Sequence, residues 1–451
     1  MKETAQKQVV IVGGGSAAWS CAAALSCNKN LHITLVDSSK IKSIGVGESS
    51  LPIIRDFHKK FRLFEEQNWI ERVGGIIKYT LEFEDFMEEK GSRWVHPLSA
   101  YKEYEEFMTL KHLSTLPHLE LTERFFYTQN LCNTKFSDNT NDNLALGAYH
   151  FDAKRYAQEL QKIALSRGVE HIDAKIVSIN QDENITQSLV LEDDRVVEGD
   201  LFIDCSGFQN ILFKNLKTNF LSFEERLFCN KAMAIKLPYV DIPKQKRNAT
   251  LAKALKNGWV WHTPLEDVLA LGYVYSGKHT NAQDAKDEFF AYLQKSFGYK
   301  DLDATQLHHV EYRSGVHEHS WIGNNIAIGL ASFFIEPLES TGIALFEIQI
   351  MELAKILETN PAFAHNYMHQ YNATVLGYIL SVKDFIEMHY ILSQREDSPF
   401  WRDASTIEPN ALQKKLVELY RLEKFEEILR LRVSGIFSTL SWLHLLHGNK
   451  K

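Results

Sequence analysis

Val9-Val-Ile-Val-Gly-Gly-Gly-Ser-Ala-Ala18 is the stretch that decides the architecture. Four β-branched residues in a row are the pattern of a strand buried on both faces of a parallel sheet. Gly13-Gly14-Gly15 stops that strand, and the Ala-rich segment Ser16–Leu25 reads as a helix. Asn28–Asn30 turns the chain into a second apolar run, Leu31–Asp37. The whole is a strand–helix–strand unit of about 30 residues. Inside it, Gly13-x-Gly15-x-x-Ala18 follows the strand and opens the helix. Glycines there let the backbone approach a pyrophosphate, and the helix N-terminus supplies N–H donors and a positive dipole end. Asp37 stands 22 residues beyond Gly15, at the end of the second strand, where a carboxylate can accept from a ribose hydroxyl. A glycine turn alone would be an ordinary loop; strand, helix and acid together point to a dinucleotide.

Gly199-Asp-Leu-Phe-Ile-Asp-Cys-Ser-Gly207 repeats the theme. A buried strand, Leu201–Cys205, ends in an acid, Asp204, before Ser206-Gly207. Such a strand packs beside the FAD in two-dinucleotide-binding flavoproteins and brings its acid towards the ribityl chain. Between and after these motifs, helices and strands alternate. Ala153–Ser166 reads as a helix stopped by Arg167-Gly168. Lys175–Asn180 and Gln187–Leu191 read as short strands, Thr250–Val274 has strand character, and a strand at Ile326–Leu330, within the longer strand-like stretch Trp321–Leu330, precedes a helix at about Ile343–Leu357. From Thr359 onward helical patterning dominates, with Ala411–Leu431 the clearest amphipathic stretch. There is no second glycine fingerprint, no repeat and no low-complexity segment.

Composition narrows the function classes. Over 451 residues, 45% are hydrophobic and 24% charged, which suits an ordinary packed core. A net charge of −8 gives nucleic-acid binding no electrostatic support. The five cysteines, Cys21, Cys27, Cys132, Cys205 and Cys229, form no C-x-x-C pair, so neither a disulfide framework nor a metal site is expected. No signal-peptide pattern opens the chain and no run of about 18 apolar residues occurs, so a cytoplasmic protein off the membrane is expected.

Three further segments are shaped for a task. Gly45-Val-Gly-Glu-Ser-Ser-Leu-Pro52 carries two glycines and a proline, the makings of a formed loop. Trp259-Val-Trp261-His-Thr-Pro264 places two indoles on one face of a strand, the spacing of core aromatics too. Phe333-Phe-Ile-Glu-Pro-Leu-Glu-Ser-Thr-Gly342 leads into a helix. Ser340, Thr341 and Gly342 fall where first-turn N–H groups meet an anion, although Ser and Thr more often merely cap. Glu339 beside them is a candidate acid or base.

Together these motifs resemble the flavin-dependent halogenases of the tryptophan-halogenase family. Gly13-Gly-Gly-Ser-Ala-Ala-Trp19 is similar to the family's GGGxAGW, Gly45–Pro52 to GVGEATxP, Trp259–Pro264 to WxWxIP and Phe333–Ile343 to FxEPLExTGI. The similarity runs from about Gln8 to His447 and extends to Ala148–Leu160, Asp200–Phe208, Gly272–Gly277 and Trp321–Leu330. The implied fold is α/β: a Rossmann-like FAD-binding box of the flavin-monooxygenase kind, residues 1–358 with interleaved substrate-binding insertions. A mainly helical part, residues 359–451, would cap the substrate site.

The resemblance implies roles residue by residue. FAD would contact Gly13, Gly15, Ser16, Ala17, Ala18, Asp37, Gly47, Glu48, Ser49, Asp204, Gly329 and Ile343. A halide would sit at Thr341 and Gly342, and reduced FAD with oxygen would turn it into hypohalous acid. That acid would travel to Lys78, which either hydrogen-bonds it or becomes a haloamine. Read alone, Lys78 would be a surface charge, but its apolar neighbours Ile76, Ile77 and Tyr79 argue for burial, which lowers an ammonium pKa. Glu339 would polarise the electrophile or take the departing proton, and Ser340 would link flavin loop and substrate site. Trp259, Trp261 and Pro264 would guard the flavin. Ser50, Pro52, His96 and Leu98 would line the substrate pocket.

Departures matter. Leu98 stands where the family stacks an aromatic on indole, a loss of about 1 kcal/mol in recognition, and the chain ends soon after Phe437–Gly448. An electron-rich aromatic other than free tryptophan, such as an indole or phenol, is therefore expected, with chloride, bromide or iodide as halide. With one fingerprint, FADH2 would come from a separate NAD(P)H:flavin reductase. A homo-oligomer is compatible with this reading. The rivals are an FAD-dependent aromatic hydroxylase, which needs neither the Lys78–Glu339 pair nor the paired tryptophans, and a flavin-binding protein without activity.

Overall fold

A computed structural model describes residues 6–41, 47–64, 69–98, 147–359, 366–431 and 433–449. Gly45 and Val46 of the shaped loop and Cys132 lie outside them. The opening unit forms as expected, with strands Lys7–Val12 and Leu31–Asp37 around helix Ser16–Leu25. Lys7–Val12 is the hub of a six-stranded sheet. It pairs in parallel with Leu31–Asp37 on one side and with Leu201–Asp204 on the other, Val9 to Val12 opposite Leu201 to Asp204. Glu170–Asp173 and Asn325–Ala327 extend the sheet, and Trp321–Ile322 closes its edge antiparallel. The two motif strands are thus neighbours, and both glycine turns emerge at one edge.

A seven-stranded sheet runs in the order His308–Glu311, Lys231–Pro238, Val268–Tyr275, Gly258–Pro264, Ala249–Ala254, Thr80–Glu84, Arg93–Pro97. The Thr250–Val274 region is three of these strands. A small sheet brings Lys78 beside the shaped loop: Ala148–Asp152 is flanked antiparallel by Gly47–Ser49 and Ile76–Lys78. After residue 359 the regular elements among the described residues are all helices, namely Asn366–Ile391, Pro399–Ala404, Ala411–Arg421, Phe425–Arg430 and Thr439–Gly448. One buried cluster joins Val9 to Leu446, so both parts share a core. The last helix lies tight on the Arg93–Pro97 strand; a Cβ on Gly448 would stand 2.5 Å from Trp94 Cβ.

Two expected elements are broken by backbone geometry. Ala411–Leu431 is two helices because Glu423 adopts φ +54°, turning the chain so that Lys424 N–H donates to Leu419 O. Trp321–Leu330 is a hairpin followed by a single 3₁₀ turn, Gly329–Ala331, because Gly323 and Gly329 take φ +58° and +67°. The helix expected from Ile343 begins at Thr341, which puts Thr341 and Gly342 in its first turn.

Candidate active site

The nucleotide turn is built by close approach. Gly13 takes φ +125°, and a Cβ there would lie 2.4 Å from Cys205 O. Gly14 packs against the Asp37 carboxylate, where a Cβ would meet Oδ2 at 1.9 Å. Gly15 differs: its backbone is extended (φ −87°, ψ −175°) and its Cβ direction meets nothing within 4 Å. The open space over Gly15, at the N-terminus of helix Ser16–Leu25, is the cradle that a pyrophosphate needs. Ala17 packs under Gly329, a Cβ on which would stand 3.2 Å from Ala17 Cβ, and Gly329 N–H is fixed by Gln349 Oε1 at 2.9 Å. Ala18 and Ile343 are buried, and Ser16 Oγ faces Ala153 O at 3.4 Å. These residues fit a bound dinucleotide.

Two acids already have partners within the chain. Asp37 is already held by His171, whose Nε2 lies 2.6 Å from Oδ1 on the neighbouring strand. Asp204 is fully buried, and its oxygens accept from Ser206 N–H and Oγ and from the Leu212 and Phe213 N–H groups, at 2.5–3.2 Å. Four donors leave Asp204 a turn-building role, because its acceptor positions face the chain itself. On the other side, Gly47 packs on Ala270, and the half-buried Glu48 has a carboxyl pushed up by burial to about 7.

Lys78 is fully buried. Its Nζ donates to Ser49 Oγ (2.8 Å), Ser340 Oγ (2.9 Å) and Ser50 O (3.1 Å). Burial lowers its pKa to about 7, partly offset by the charge of Glu339. The hydroxyls continue as a chain: Ser340 Oγ donates to Ser49 Oγ (3.0 Å), Ser49 pairs with Thr250 Oγ1 (2.9 Å), and Thr250 with His150 Nε2 (2.7 Å). Ser340 is delivered by a left-handed turn (φ +59°), its N–H donating to Pro337 O. Thus Lys78, Ser49 and Ser340, distant in sequence, meet within hydrogen-bond reach.

Glu339 is also fully buried. His96 Nδ1 meets Oε2 at 2.8 Å and His389 Nε2 meets Oε1 at 3.0 Å. Burial raises the carboxyl pKa, but the two imidazoles outweigh it and hold it at about 2. His96, expected on the substrate pocket, therefore spends one nitrogen on Glu339. Glu336 is gripped in parallel: Oε2 accepts from Trp259 Nε1 (3.0 Å) and Tyr390 OH (2.9 Å), and burial pushes its pKa to about 7.

The remaining expected residues are spread around this centre. Ser50 is buried, its Oγ donating to Tyr149 O and accepting from Tyr149 N–H. Pro52 caps helix Ile53–Lys60. Leu98 is half-buried against the core. Trp259 is buried, Trp261 half-buried, their rings 6.4 Å apart, and Pro264 ends their strand opposite Leu269. Thr341 is buried, whereas Gly342 is exposed with open space beside it. Sequence reasoning missed His389, Tyr390, His171, Thr250 and His150. His389, Tyr390, His171 and Thr250 sit in no quoted motif, whereas His150 lies in the family-like stretch Ala148–Leu160 and Glu336 in the quoted Phe333–Gly342 motif. Among the described residues no cluster of three or more His, Cys, Asp or Glu could hold a metal, and no helix is long and apolar enough to cross a membrane.

The description "Tryptophan halogenase" fits residues 8–451 as a family model. Tryptophan 6-halogenase ThaL of Streptomyces albogriseolus is 29% identical over 440 residues, covering 92% of this chain and 82% of its own. The 7-chloro-L-tryptophan 6-halogenase KtzR of Kutzneria sp. (strain 744) is 30% identical over 444 residues, covering 88% and 82%. Among solved structures, tryptophan 6-halogenase SttH of Streptomyces toxytricini matches with TM-score 0.85 at 26% identity, over 98% of this chain and 90% of that one. BrvH, a flavin-dependent halogenase from Brevundimonas sp. BAL3, matches with TM-score 0.82 at 28% identity, over 99% and 90%. A nucleotide cradle, a buried lysine and a glutamate loop on this fold have one common account: the chain belongs to the tryptophan halogenase family and is a flavin-dependent halogenase with a Rossmann-like FAD-binding fold.

Proposed function

We propose that this enzyme uses FADH2, oxygen and a halide to form hypohalous acid and delivers the halogen through Lys78 to an electron-rich aromatic carbon of an indole, phenol or similar substrate. The observation that carries this reading is Lys78: a lysine with no exposed surface, at the meeting point of the Gly47–Ser49 strand and the Glu339–Ser340 turn. When bound, reduced FAD supplies the activation of oxygen against halide. Gly13, Gly15, Ser16, Ala17 and Ala18 would hold its pyrophosphate, and Gly47, Glu48, Gly329 and Ile343 would flank the rest. Thr341 and Gly342 would present first-turn N–H groups to the halide.

Lys78 meets the electrophile as a free amine. As an ammonium it would spend all three N–H groups on Ser49, Ser340 and Ser50. As an amine it keeps a lone pair, and a pKa of about 7 makes that form abundant near neutrality. An N–halogen bond then forms as hydroxide leaves and takes the amine proton as water. Dry surroundings contain the electrophile until substrate arrives. Glu339 holds a negative charge beside this exchange. A separate NAD(P)H:flavin reductase supplies FADH2 in the cytoplasm, in keeping with the single glycine fingerprint, so purified enzyme should not oxidise NADPH by itself.

Gly15→Val separates cofactor binding from folding. The position is extended and faces open space, so thermal stability should stay within about 1 °C of the parent. FAD affinity should fall about 100-fold, or roughly 2.7 kcal/mol, because the side chain fills the pyrophosphate cradle. Titration of flavin fluorescence checks it, and unchanged affinity would remove the cradle from the argument. The reaction itself is tested with FAD, a reductase, NADH and oxygen on indoles, phenols and anilines, with chloride, bromide and iodide in parallel. A mass shift that follows the halide supports halogenation; a halide-independent gain of one oxygen makes the enzyme a hydroxylase.

A further inference from the structure

Glu339 sits between two histidines from different parts of the chain, His96 on the strand Arg93–Pro97 and His389 near the end of helix Asn366–Ile391. Each takes one carboxylate oxygen, at 2.8 and 3.0 Å, and all three side chains have at most 3% exposure. The hydrogen-bond roles can be worked out for His389. Its Nδ1 lies 3.2 Å from Phe385 O, and a carbonyl only accepts, so Nδ1 carries a proton. Its Nε2 then either donates to an ionised Glu339 or accepts from the acid. A carboxylate that faces His96 Nδ1 on its other oxygen favours donation, so His389 Nε2 gives its hydrogen bond to the Glu339 carboxylate. Phe385 stacks on Phe437 (3.9 Å between centroids) and Phe83 packs on His389 (4.9 Å), so the ring has little freedom.

We propose that His96 and His389 are positioning residues that clamp Glu339 from both sides, keeping it ionised and fixed beside Lys78 throughout the working pH range. This rests on the reading of Lys78 and Glu339 given above. The clamp also ties the helical part to the reaction, because the same helix end gives His389 to Glu339 and Tyr390 to Glu336. Among the described residues, the titratable groups facing Glu339 are His96, His389 and, by its charge, Lys78; His150 in turn faces Lys78. Without the clamp, burial alone acts on Glu339 and raises its pKa. A protonated Glu339 no longer supports the charge on Lys78, so the pKa of Lys78 falls. The two acid limbs of the activity profile therefore move in opposite directions, and an upward shift reports Glu339.

The test uses the full chain with FAD, reductase and substrate, comparing His389→Leu, His389→Gln and Glu339→Gln from pH 5.5 to 9. His389→Leu should lose about 10-fold in kcat at pH 7, with KM nearly unchanged and the ratio to parent recovering as pH rises. His389→Gln, which keeps an N–H donor, should retain at least about a third of kcat. A His389→Leu enzyme with the parental kcat and profile overturns the clamp, and so does a loss that does not change with pH. Should His389→Leu fail to bind FAD or melt early, His96→Leu applies the same test from the other oxygen, with the same upward shift of the acid limb expected. Full activity in Glu339→Gln would instead sink the underlying mechanism.

Discussion

Lys78→Met should lose halogenation by at least about 100-fold while the protein stays folded and still binds FAD. Methionine matches the length of the lysine stem but has no amine nitrogen, and so neither a basic lone pair nor an N–H. Three acceptors, Ser49 Oγ, Ser50 O and Ser340 Oγ, each lose a donor, at about 1 kcal/mol apiece. Against that, an amine with no exposed surface no longer has to be kept out of water, a gain of similar size. The melting temperature should therefore move little. Mass spectrometry of product and stopped-flow flavin oxidation check the two halves separately. Loss of halogenation with flavin oxidation retained assigns Lys78 to halogen delivery; loss of both assigns it to structure. The parent enzyme carries the matching pH signature. With Lys78 at about 7, the free-amine fraction climbs between pH 6 and 8, so kcat should rise with pH across that window and then level. A fall across the window would mean that the ammonium is the active form.

Trp259→Ala should destabilise the fold by about 3–5 kcal/mol, because the indole is 1% exposed and its removal leaves a large cavity. Its neighbour Trp261 is half-buried, and Trp261→Ala should cost only about 1–2 kcal/mol. The pair was expected to act together as guards of the flavin. The structure separates them. Trp259 Nε1 is bonded to Glu336, which Tyr390 also grips, so this tryptophan anchors the loop whose next acid is Glu339. Trp261 instead lies across Gly272, where a Cβ would fall 1.9 Å from its ring. Trp259→Phe isolates the anchor: it keeps the ring and removes the donor, costing about 1–3 kcal/mol by leaving a buried carboxyl under-bonded. Denaturant midpoints rank the three variants. Equal stability of the two alanine variants would return both tryptophans to one role.

The nucleotide-binding unit was fully legible in the sequence, since its requirements are local. A β-branched run, three glycines and an Ala-rich segment dictate strand, turn and helix within about 30 residues, and the boundaries Ser16–Leu25 and Leu31–Asp37 were read to the residue. Glu339 and Ser340 stood out as candidates through the motif that carries them, and Lys78 through the family resemblance. The burial of Lys78 followed from its apolar neighbours, although its completeness did not. What tertiary structure alone decided is who answers these groups. Asp37 finds His171, Asp204 turns inward on its own loop, and Glu339 is met by His96 and His389 from segments 243 and 50 residues away. Hydrogen bonds of this kind depend on where strands and helices end after packing. They leave no periodicity behind, so a histidine inside an apolar helix looks the same in sequence whether it fills space or clamps a catalytic carboxylate.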